Sequence, residues 1–298
     1  MHIPVLQKEV LKYLDPKPND NFIDATIGFC GHTFLILERN SPNGKILGIE
    51  KDPEIFKILK KKFSGKKFEK RLVLLNDSYV NLKELVKKNK FQKVRGILFD
   101  LGMSTWHLKE SGRGFSFQRN ETLDMRYSQN NPETAEKILN YRSLAEIEKI
   151  LKDYGEESFA RQISKNIVSF RSFKPIKTTF QLIEIIKRSV PGWYRSQKKH
   201  FATCTFQALR IAVNDELNNL ERVLPQSLDV LNEGGRLVVI SFHSLEDRIV
   251  KNFFQNSSEL KILTKKPIIP TQKEIKINPS SRSAKLRAGL KISNIEKE

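Results

Sequence analysis

Short runs that are apolar on successive positions recur through the first hundred residues, at 21–26, 45–50, 71–76 and 96–100. A strand apolar on both faces is one buried from both sides, as in a parallel sheet covered by helices. Stretches with helical spacing separate these runs. Residues 4–14 end at Asp15-Pro16-Lys17-Pro18, and residues 32–39 end at the turn Ser41-Pro42-Asn43-Gly44. Asp52-Pro53 opens a helix, with Asp as N-cap and Pro at the first helical position. Residues 81–88 form another. After Asp100 the alternation stops. Residues 102–127 are rich in Gly, Ser and Arg, and helical patterns follow at 132–140, 143–154, 156–170 and 179–189 with no strand between them. A run of helices inside an alternating chain predicts an inserted helical domain. One long helix is expected over 206–224, with Leu209, Ala212, Val213, Leu217, Leu220 and Leu224 on one face. A turn at Asn232-Glu233-Gly234-Gly235, a fifth strand over 236–241 and a helix over 245–254 resume the first pattern. The expected fold is therefore α/β with a mainly parallel sheet built from 1–103 and 205–298, and an all-helical insert over 104–204 that is the candidate substrate-recognition domain.

Composition narrows the setting. A hydrophobic content of 39% with 29% charged residues fits a soluble globular protein. No apolar run approaches a membrane span, and the N-terminus lacks the layout of a signal peptide. Cys30 and Cys204 form no CxxC pair and no disulfide framework, so a cytoplasmic setting is expected. No spacing of His, Cys and Asp suggests a metal. The formal net charge is +19, which favours a polyanionic partner. A compositional drift toward Lys is the alternative, with Lys collected in runs such as Lys57 to Arg71, but a nucleic-acid partner is the favoured reading.

The stretch from Phe22 to Asp52 carries the first chemistry. It reads as a strand, a turn holding Gly28 and Gly31, a helix, and a second strand ending in Glu50. Glycine lets backbone approach a ligand closely. An acid at the end of the second strand can accept hydrogen bonds from ribose hydroxyls. A lone glycine pattern is weak, and an ordinary strand–helix–strand unit is the alternative. However, Asp100 also ends a strand, and ligands of such sheets lie outside the carboxyl ends of the strands. The convergence of Gly28, Gly31, Glu50 and Asp100 points to a nucleoside-type ligand.

Longer motifs stand along the chain: His2-Ile3-Pro4-Val5-Leu6, Asp100-Leu101-Gly102, Arg113-Gly114-Phe115-Ser116-Phe117, Leu123-Asp124-Met125-Arg126, Tyr154-Gly155-Glu156-Glu157, Phe206-Gln207-Ala208-Leu209-Arg210-Ile211, Ser241-Phe242-His243-Ser244-Leu245-Glu246-Asp247-Arg248 and Lys285-Leu286-Arg287. In these motifs the chain resembles the ribosomal RNA small subunit methyltransferase H family, also called MraW, over nearly its whole length. The resemblance implies a Rossmann-like class I methyltransferase fold. It also implies S-adenosyl-L-methionine as cofactor, and the small ribosomal subunit with its 16S rRNA as partner. The reaction implied is methylation of the exocyclic N4 amine of a cytidine, cytidine 1402 in the family. The family's cofactor positions map onto Cys30, Gly31, His32, Glu50, Tyr79, Asp100 and His107. Here Cys30 stands for a usual Gly, Glu50 for Asp, Tyr79 for Phe and His107 for Gln. If position 30 needs a positive φ, Cys costs about 1–2 kcal/mol there.

Methyl transfer from a sulfonium is an in-line displacement, so the protein's main task is alignment at near-attack distance. Asp100, His243 and Asp124 are the catalytic candidates. Asp100 would touch the cofactor or the target amine, or else structure its loop. His243 would meet the base or a proton, or serve as a satisfied structural His. Asp124 and Arg126 would close over the target base, or simply fix their loop. For RNA, the candidates are Arg113, Arg126, Arg282, Lys285 and Arg287. Arg113 with Phe115 or Phe117 would form a platform for an extruded base, against core packing of the two rings. Gln207 and Arg210, three apart on one helix face, meet RNA or brace the insert. A homodimer is left open. Two other readings stand beside the leading one: a ribosome-binding factor that keeps the fold without the chemistry, and methylation of DNA or a protein amine.

Overall fold

The computed structural model describes residues 3–65 and 68–293. His2 of the N-terminal motif, and Lys66 and Lys67 of the lysine run, lie outside the described residues. The chain divides into two compact units, Met1–Gly102 with Leu217–Glu298, and Met103–Glu216. The first holds one seven-stranded sheet: β1 (Asn21–Asp24), β2 (Ile46–Glu50), β3 (Leu72–Asn76), β4 (Val94–Asp100), β5 (Leu231–Ser241), β6 (Leu260–Ile262) and β7 (Lys285–Lys291). Its order is β3-β2-β1-β4-β5-β7-β6. The first five strands in that order are mutually parallel, and β7 runs antiparallel to both β5 and β6. The helix α1 (Gln7–Leu14) precedes β1, and α2 (Gly31–Arg39), α3 (Pro53–Phe63) and α4 (Leu82–Lys88) fall between the early strands. Asp52 caps α3 by accepting from the Glu54 N–H at 2.9 Å, with Pro53 in the first turn. Burial follows the apolar runs: Ile23, Leu47, Ile97, Phe99 and Leu237 are wholly inaccessible. The parallel order changes direction between β1 and β4, which is where such sheets open a crevice at their carboxyl ends.

The second unit is helical: α5 (Thr105–Lys109), α6 (Ala135–Tyr141), α7 (Leu144–Gly155), α8 (Ala160–Arg171), α9 (Thr179–Ser189), α10 (Gly192–Arg195) and α11 (Thr203–Asn214). Two helix starts are reciprocal capping boxes, Ser143 with Glu146 on α7 and Thr178 with Gln181 on α9. Each satisfies two otherwise orphaned N–H groups. The unit has its own core, in which Leu123, Leu139, Ile147, Leu151, Ile163 and Leu182 are wholly buried. Phe206, Ala208, Leu209 and Val213 of α11 belong to that same core. Helix α11 therefore falls with the insert, whereas the sequence pattern assigns residues from 205 onward to the sheet unit. Gly155 explains part of the packing: a Cβ there would sit 2.6 Å from the Cys204 carbonyl oxygen.

Downstream, α12 (Glu216–Val230), α13 (Ser244–Asn256) and α14 (Gln272–Ile277) complete the chain. The expected single helix over 206–224 is two helices. Asp215 sits between them in the left-handed region at φ 52°. Helix α12 then continues through Pro225 to Val230. Strand β5 begins at Leu231, earlier than the pattern suggests, and its register against β4 shifts beside Gly234, which has φ 69°. Among the described residues no helix is long and apolar enough to cross a membrane.

Candidate active site

At the carboxyl ends of β1, β2 and β4 three acids come out of the sheet. Asp24 ends β1 and is 2% exposed. Its carboxylate accepts from Thr33 Oγ1 at 2.6 Å and from the Thr26 N–H at 3.3 Å. Burial pushes its pKa up to about 6 against the pull of the Thr33 bond. Thr26 in turn uses Oγ1 to accept the Asp100 N–H at 2.7 Å, which ties the β1 exit to the end of β4. His32, in the first turn of α2, is 5% exposed. Its Nε2 lies 3.6 Å from Asp100 Oδ2. Both ring nitrogens of His32 and Oδ1 of Asp100 are buried without a hydrogen-bond partner among the described residues. Buried polar atoms in that condition are costly and mark a place where a partner from outside fits.

The turn between β1 and α2 is shaped by steric necessity. Cys30 has φ 65° and no exposure, so this position does take the left-handed conformation, at about 1–2 kcal/mol for a residue with a Cβ. A Cβ at Gly31 would fall 2.7 Å from the Pro4 ring, which places the N-terminal motif directly behind the turn. Gly28 has φ 46°, and a Cβ built on it meets nothing closer than 3.8 Å, so backbone is open there. Glu50 closes the arrangement. It is 8% exposed, Oε1 accepts the Asp52 N–H at 2.8 Å, and the Gly28 backbone also bonds it. Burial raises its pKa to about 8 despite those bonds. An ionised carboxylate has about four lone-pair sites, so acceptor capacity remains for hydroxyl donors. Tyr79 packs edge-on against Phe99 of β4, with ring centroids 5.7 Å apart. Cys30, Gly31, His32, Glu50 and Asp100 thus stand on three neighbouring strand ends. The orphaned atoms, the open Gly28 backbone and the buried acid fit a nucleoside-type cofactor. Asp24, Thr26 and Thr33 complete this arrangement, and the sequence reading does not single them out. Their signal was an acid ending β1, as Glu50 and Asp100 end β2 and β4.

The remaining candidates belong to the helical unit or to later elements of the sheet unit. His107 belongs to the helical unit. It is 4% exposed, with the rings of Phe115 and Tyr127 each 5.0 Å away. In the same unit, Arg126 grips Asp124 through two bonds of 2.8 Å, Nε to Oδ1 and Nη2 to Oδ2. Burial favours the neutral acid, but these bonds outweigh it and hold Asp124 below the ordinary carboxylate range. Arg113 is 6% exposed and donates to the carbonyls of Arg126 and Tyr127 at 3.0 and 3.2 Å. Gly114 beside it has φ 77°, and a Cβ there would meet the Thr122 carbonyl oxygen at 2.2 Å. Phe115 is buried in the core and Phe117 stacks on His200 at 4.5 Å. Gln207 donates to the Tyr154 carbonyl at 3.0 Å, and Arg210 pairs with Glu216 at 2.9 Å. These two brace the helical unit.

In the sheet unit, His243 is the N-cap of α13. Its Nδ1 accepts the Glu246 N–H at 3.4 Å, and its Nε2 lies 3.2 Å from Glu246 Oε1 without hydrogen-bond geometry. Gly102 lies against Phe242, whose ring would be 2.6 Å from an added Cβ, so the Asp100-Leu101-Gly102 and Ser241-Phe242-His243 motifs abut. Arg287 is 8% exposed and donates to both oxygens of Asp247, at 2.7 and 3.2 Å, while Lys285 reaches Asp247 at 3.4 Å. Arg282 is exposed. The guanidinium groups of Arg113 and Arg287 are thus taken up inside the fold, and of the five RNA candidates Arg282 is the exposed one.

The sequence pattern of the MraW methylase family matches residues 1–292. The chain belongs to this family. A relative from Thermosipho melanesiensis, named ribosomal RNA small subunit methyltransferase H, is 50% identical over 292 residues, covering 98% of each chain. Another of that name, from a Sulfurihydrogenibium species, is 47% identical over 294 residues, covering 98% of this chain and 99% of its own. A solved rRNA methylase from Streptococcus thermophilus aligns with a TM-score of 0.44 at 10% identity, over 96% of this chain and 94% of that one. Nothing further follows at that distance. As a MraW-family methylase the chain has a Rossmann-like α/β fold. In it, the strand ends described above are the part suited to a nucleoside.

Proposed function

We propose that this protein methylates the N4 amine of a cytidine in the 16S rRNA of the small ribosomal subunit, with S-adenosyl-L-methionine as donor. The observation that carries this reading is full-length kinship, at up to 50% identity, with relatives named for small-subunit rRNA methylation. When bound, the donor supplies a methyl group on a positively charged sulfur. Glu50 accepts hydrogen bonds from ribose hydroxyls, and Tyr79 lies against the adenine. His32 and Asp100 offer their orphaned polar atoms to the rest of the ligand or to the target amine.

The cytosine amine is a weak nucleophile because its lone pair is delocalised into the ring. An acceptor on its N–H groups favours the pyramidal form whose lone pair is free to attack. Asp100 is the acid best suited to that task, because Thr26 fixes its backbone and its Oδ1 has no hydrogen-bond partner among the described residues. Alignment does the rest. Asp124, locked to Arg126, shapes its loop in this reading. The helical unit is the substrate-recognition part.

The test is transfer of labelled methyl to small subunits lacking the modification, with free rRNA and DNA alongside, followed by nucleoside mass analysis. N4-methylcytidine on the subunits alone is expected. Label on DNA or protein, or no label despite tight subunit binding, would sink this reading. Asp100→Ala is expected to slow single-turnover transfer by about a hundredfold, the scale of removing one preorganised polar partner. A variant that transfers at the parent rate would remove Asp100 from the chemistry.

A further inference from the structure

The helical unit carries a charge contrast that none of the motifs explains. From Arg161 to His200 ten lysines and arginines face a single acid, Glu184. Nine of those ten cations are exposed; Arg171 is the half-buried one. Glu184 lies 3.7 Å from Lys187 and offsets only that one. The same segment holds three exposed aromatic rings, Phe173 at 90%, Trp193 at 63% and Phe180 at 46% exposure. Lone surface hydrophobics are ordinary, but several large rings set among exposed cations are a recognition surface.

Local bonds fix the backbone that carries Phe173, and neighbouring rings pack against Trp193. Phe173 lies in the turn after α8, where its N–H and that of Lys174 both donate to the Phe170 carbonyl at 3.1 Å. Trp193 stands in α10, edge-on to Tyr194 at 5.8 Å and tilted against Phe159 at 5.9 Å. These two positions flank α9, whose 11 residues span about 16 Å. Along α9, Phe180, Glu184 and Arg188 follow one another at four-residue spacing. With Phe170, Gln181 and Ile185 they line a shallow groove of about 310 Å³. Exposed rings spaced along a basic face are what unpaired nucleotides require: every base has a π-face to stack, and the phosphates between them need cations.

We propose that the face formed by α8, α9 and α10 is a docking surface for single-stranded RNA, with Phe173 and Trp193 as stacking platforms and Lys187 and Arg188 among its phosphate contacts. This rests on the rRNA reading above and names the part of the molecule that holds the substrate strand outside the reacting base. Charge complementarity selects a polyanion, and exposed rings select unpaired bases over a duplex, whose stacked bases offer no free face.

The experiment measures binding of the full-length protein to a fluorescein-labelled single-stranded RNA oligonucleotide of mixed sequence, to the matching duplex and to small subunits. Phe173→Ala and Trp193→Ala are each expected to weaken single-strand binding roughly tenfold, with little effect on the duplex. The pair Lys187→Ala and Arg188→Ala should flatten the dependence of log affinity on log salt by about 0.7 for each phosphate that is no longer neutralised. Unchanged single-strand affinity in both ring variants would overturn the proposal. So would equal losses on single strand and duplex, or loss of subunit binding with oligonucleotide binding intact, which would make this a protein-binding face. Methyl transfer by the parent protein is followed in parallel. Transfer intact with ring variants that bind like the parent defeats the docking surface alone. Ring-dependent binding with no transfer to any RNA defeats the methyltransferase reading alone.

Discussion

Two buried carboxyls at the strand ends hold their protons unusually well, and the consequence for stability has a definite sign. Burial raises Glu50 from its ordinary 4.5 to about 8 and Asp24 from 3.8 to about 6. Between the ordinary and raised values the unfolded chain has released the proton while the folded chain keeps it. Stability therefore falls as pH rises through that window. Urea unfolding is expected to show declining stability from about pH 4 to about pH 8, with the upper part of the slope removed in Glu50→Gln. A ligand whose hydroxyls donate to Glu50 favours its ionised form. Donor binding should then tighten as pH rises toward about 8 and release protons, measurable by calorimetry in buffers of different ionisation enthalpy. Cys30 is the other residue whose position decides its chemistry. Burial, reinforced by the Asp24 charge, drives its thiol well above the ordinary range. A thiol that does not ionise is a poor nucleophile. Iodoacetamide at about pH 8 is expected to leave Cys30 unmodified in the folded protein and to label it only after denaturation, read by peptide mass analysis.

At the scale of elements, β7 shows how a strand hides. Leu286, Ala288 and Leu290 alternate with Lys285, Arg287 and Lys291, a period-two pattern. Its cations point instead toward phosphate binding when the sequence is read alone. In the structure Arg287 is buried on the face toward α13, where Asp247 takes its guanidinium. Removing that partner leaves a buried cation unpaired. Asp247→Ala should cost about 3 kcal/mol in chemical denaturation, the lower end for a pair that keeps slight exposure. Both Arg287 and Lys285 hold Asp247 below the ordinary carboxylate range against the effect of burial. Its contribution is therefore present above about pH 4 and is lost as pH falls below that. The strands β1, β2 and β4 were legible because their apolar runs are buried on both faces, and Glu50 and Asp100 because they end such runs; the edge strand β3 is only partly buried, and its unbroken apolar run gave it away. The break at Asp215 was not legible, since an acid in the left-handed region carries no Gly or Pro signal. Nor was the passage of α12 through Pro225, where packing overrides a local breaker. Asp24 carried the same signal as Glu50 and Asp100, an acid ending a strand, whereas Thr33 and Thr26 act through bonds to Asp24 and to the Asp100 N–H that only the folded backbone brings together.

At the scale of the whole molecule, charge dominates. A net charge of +19 on 298 residues places like charges against one another throughout the surface. Screening relieves that repulsion. The melting temperature is expected to rise by a few degrees between low and moderate sodium chloride, followed by differential scanning calorimetry, while RNA affinity falls over the same range. Opposite responses to one variable would separate self-repulsion from substrate attraction.

The order of the sheet has a bearing on how the chain is made. Strand β4 pairs with β1 on one side and with β5 on the other, yet β5 begins at Leu231, some 130 residues after β4 ends at Asp100. At roughly 5–20 residues per second, synthesis leaves that flank of β4 open for about 6–26 seconds. An open, apolar strand flank is a template for foreign pairing. The helices of the insert emerge in that interval, and their packing is local enough to form while the sheet waits. The nascent protein should therefore be most dependent on chaperones in the middle of synthesis, between the appearance of β4 and the arrival of β5.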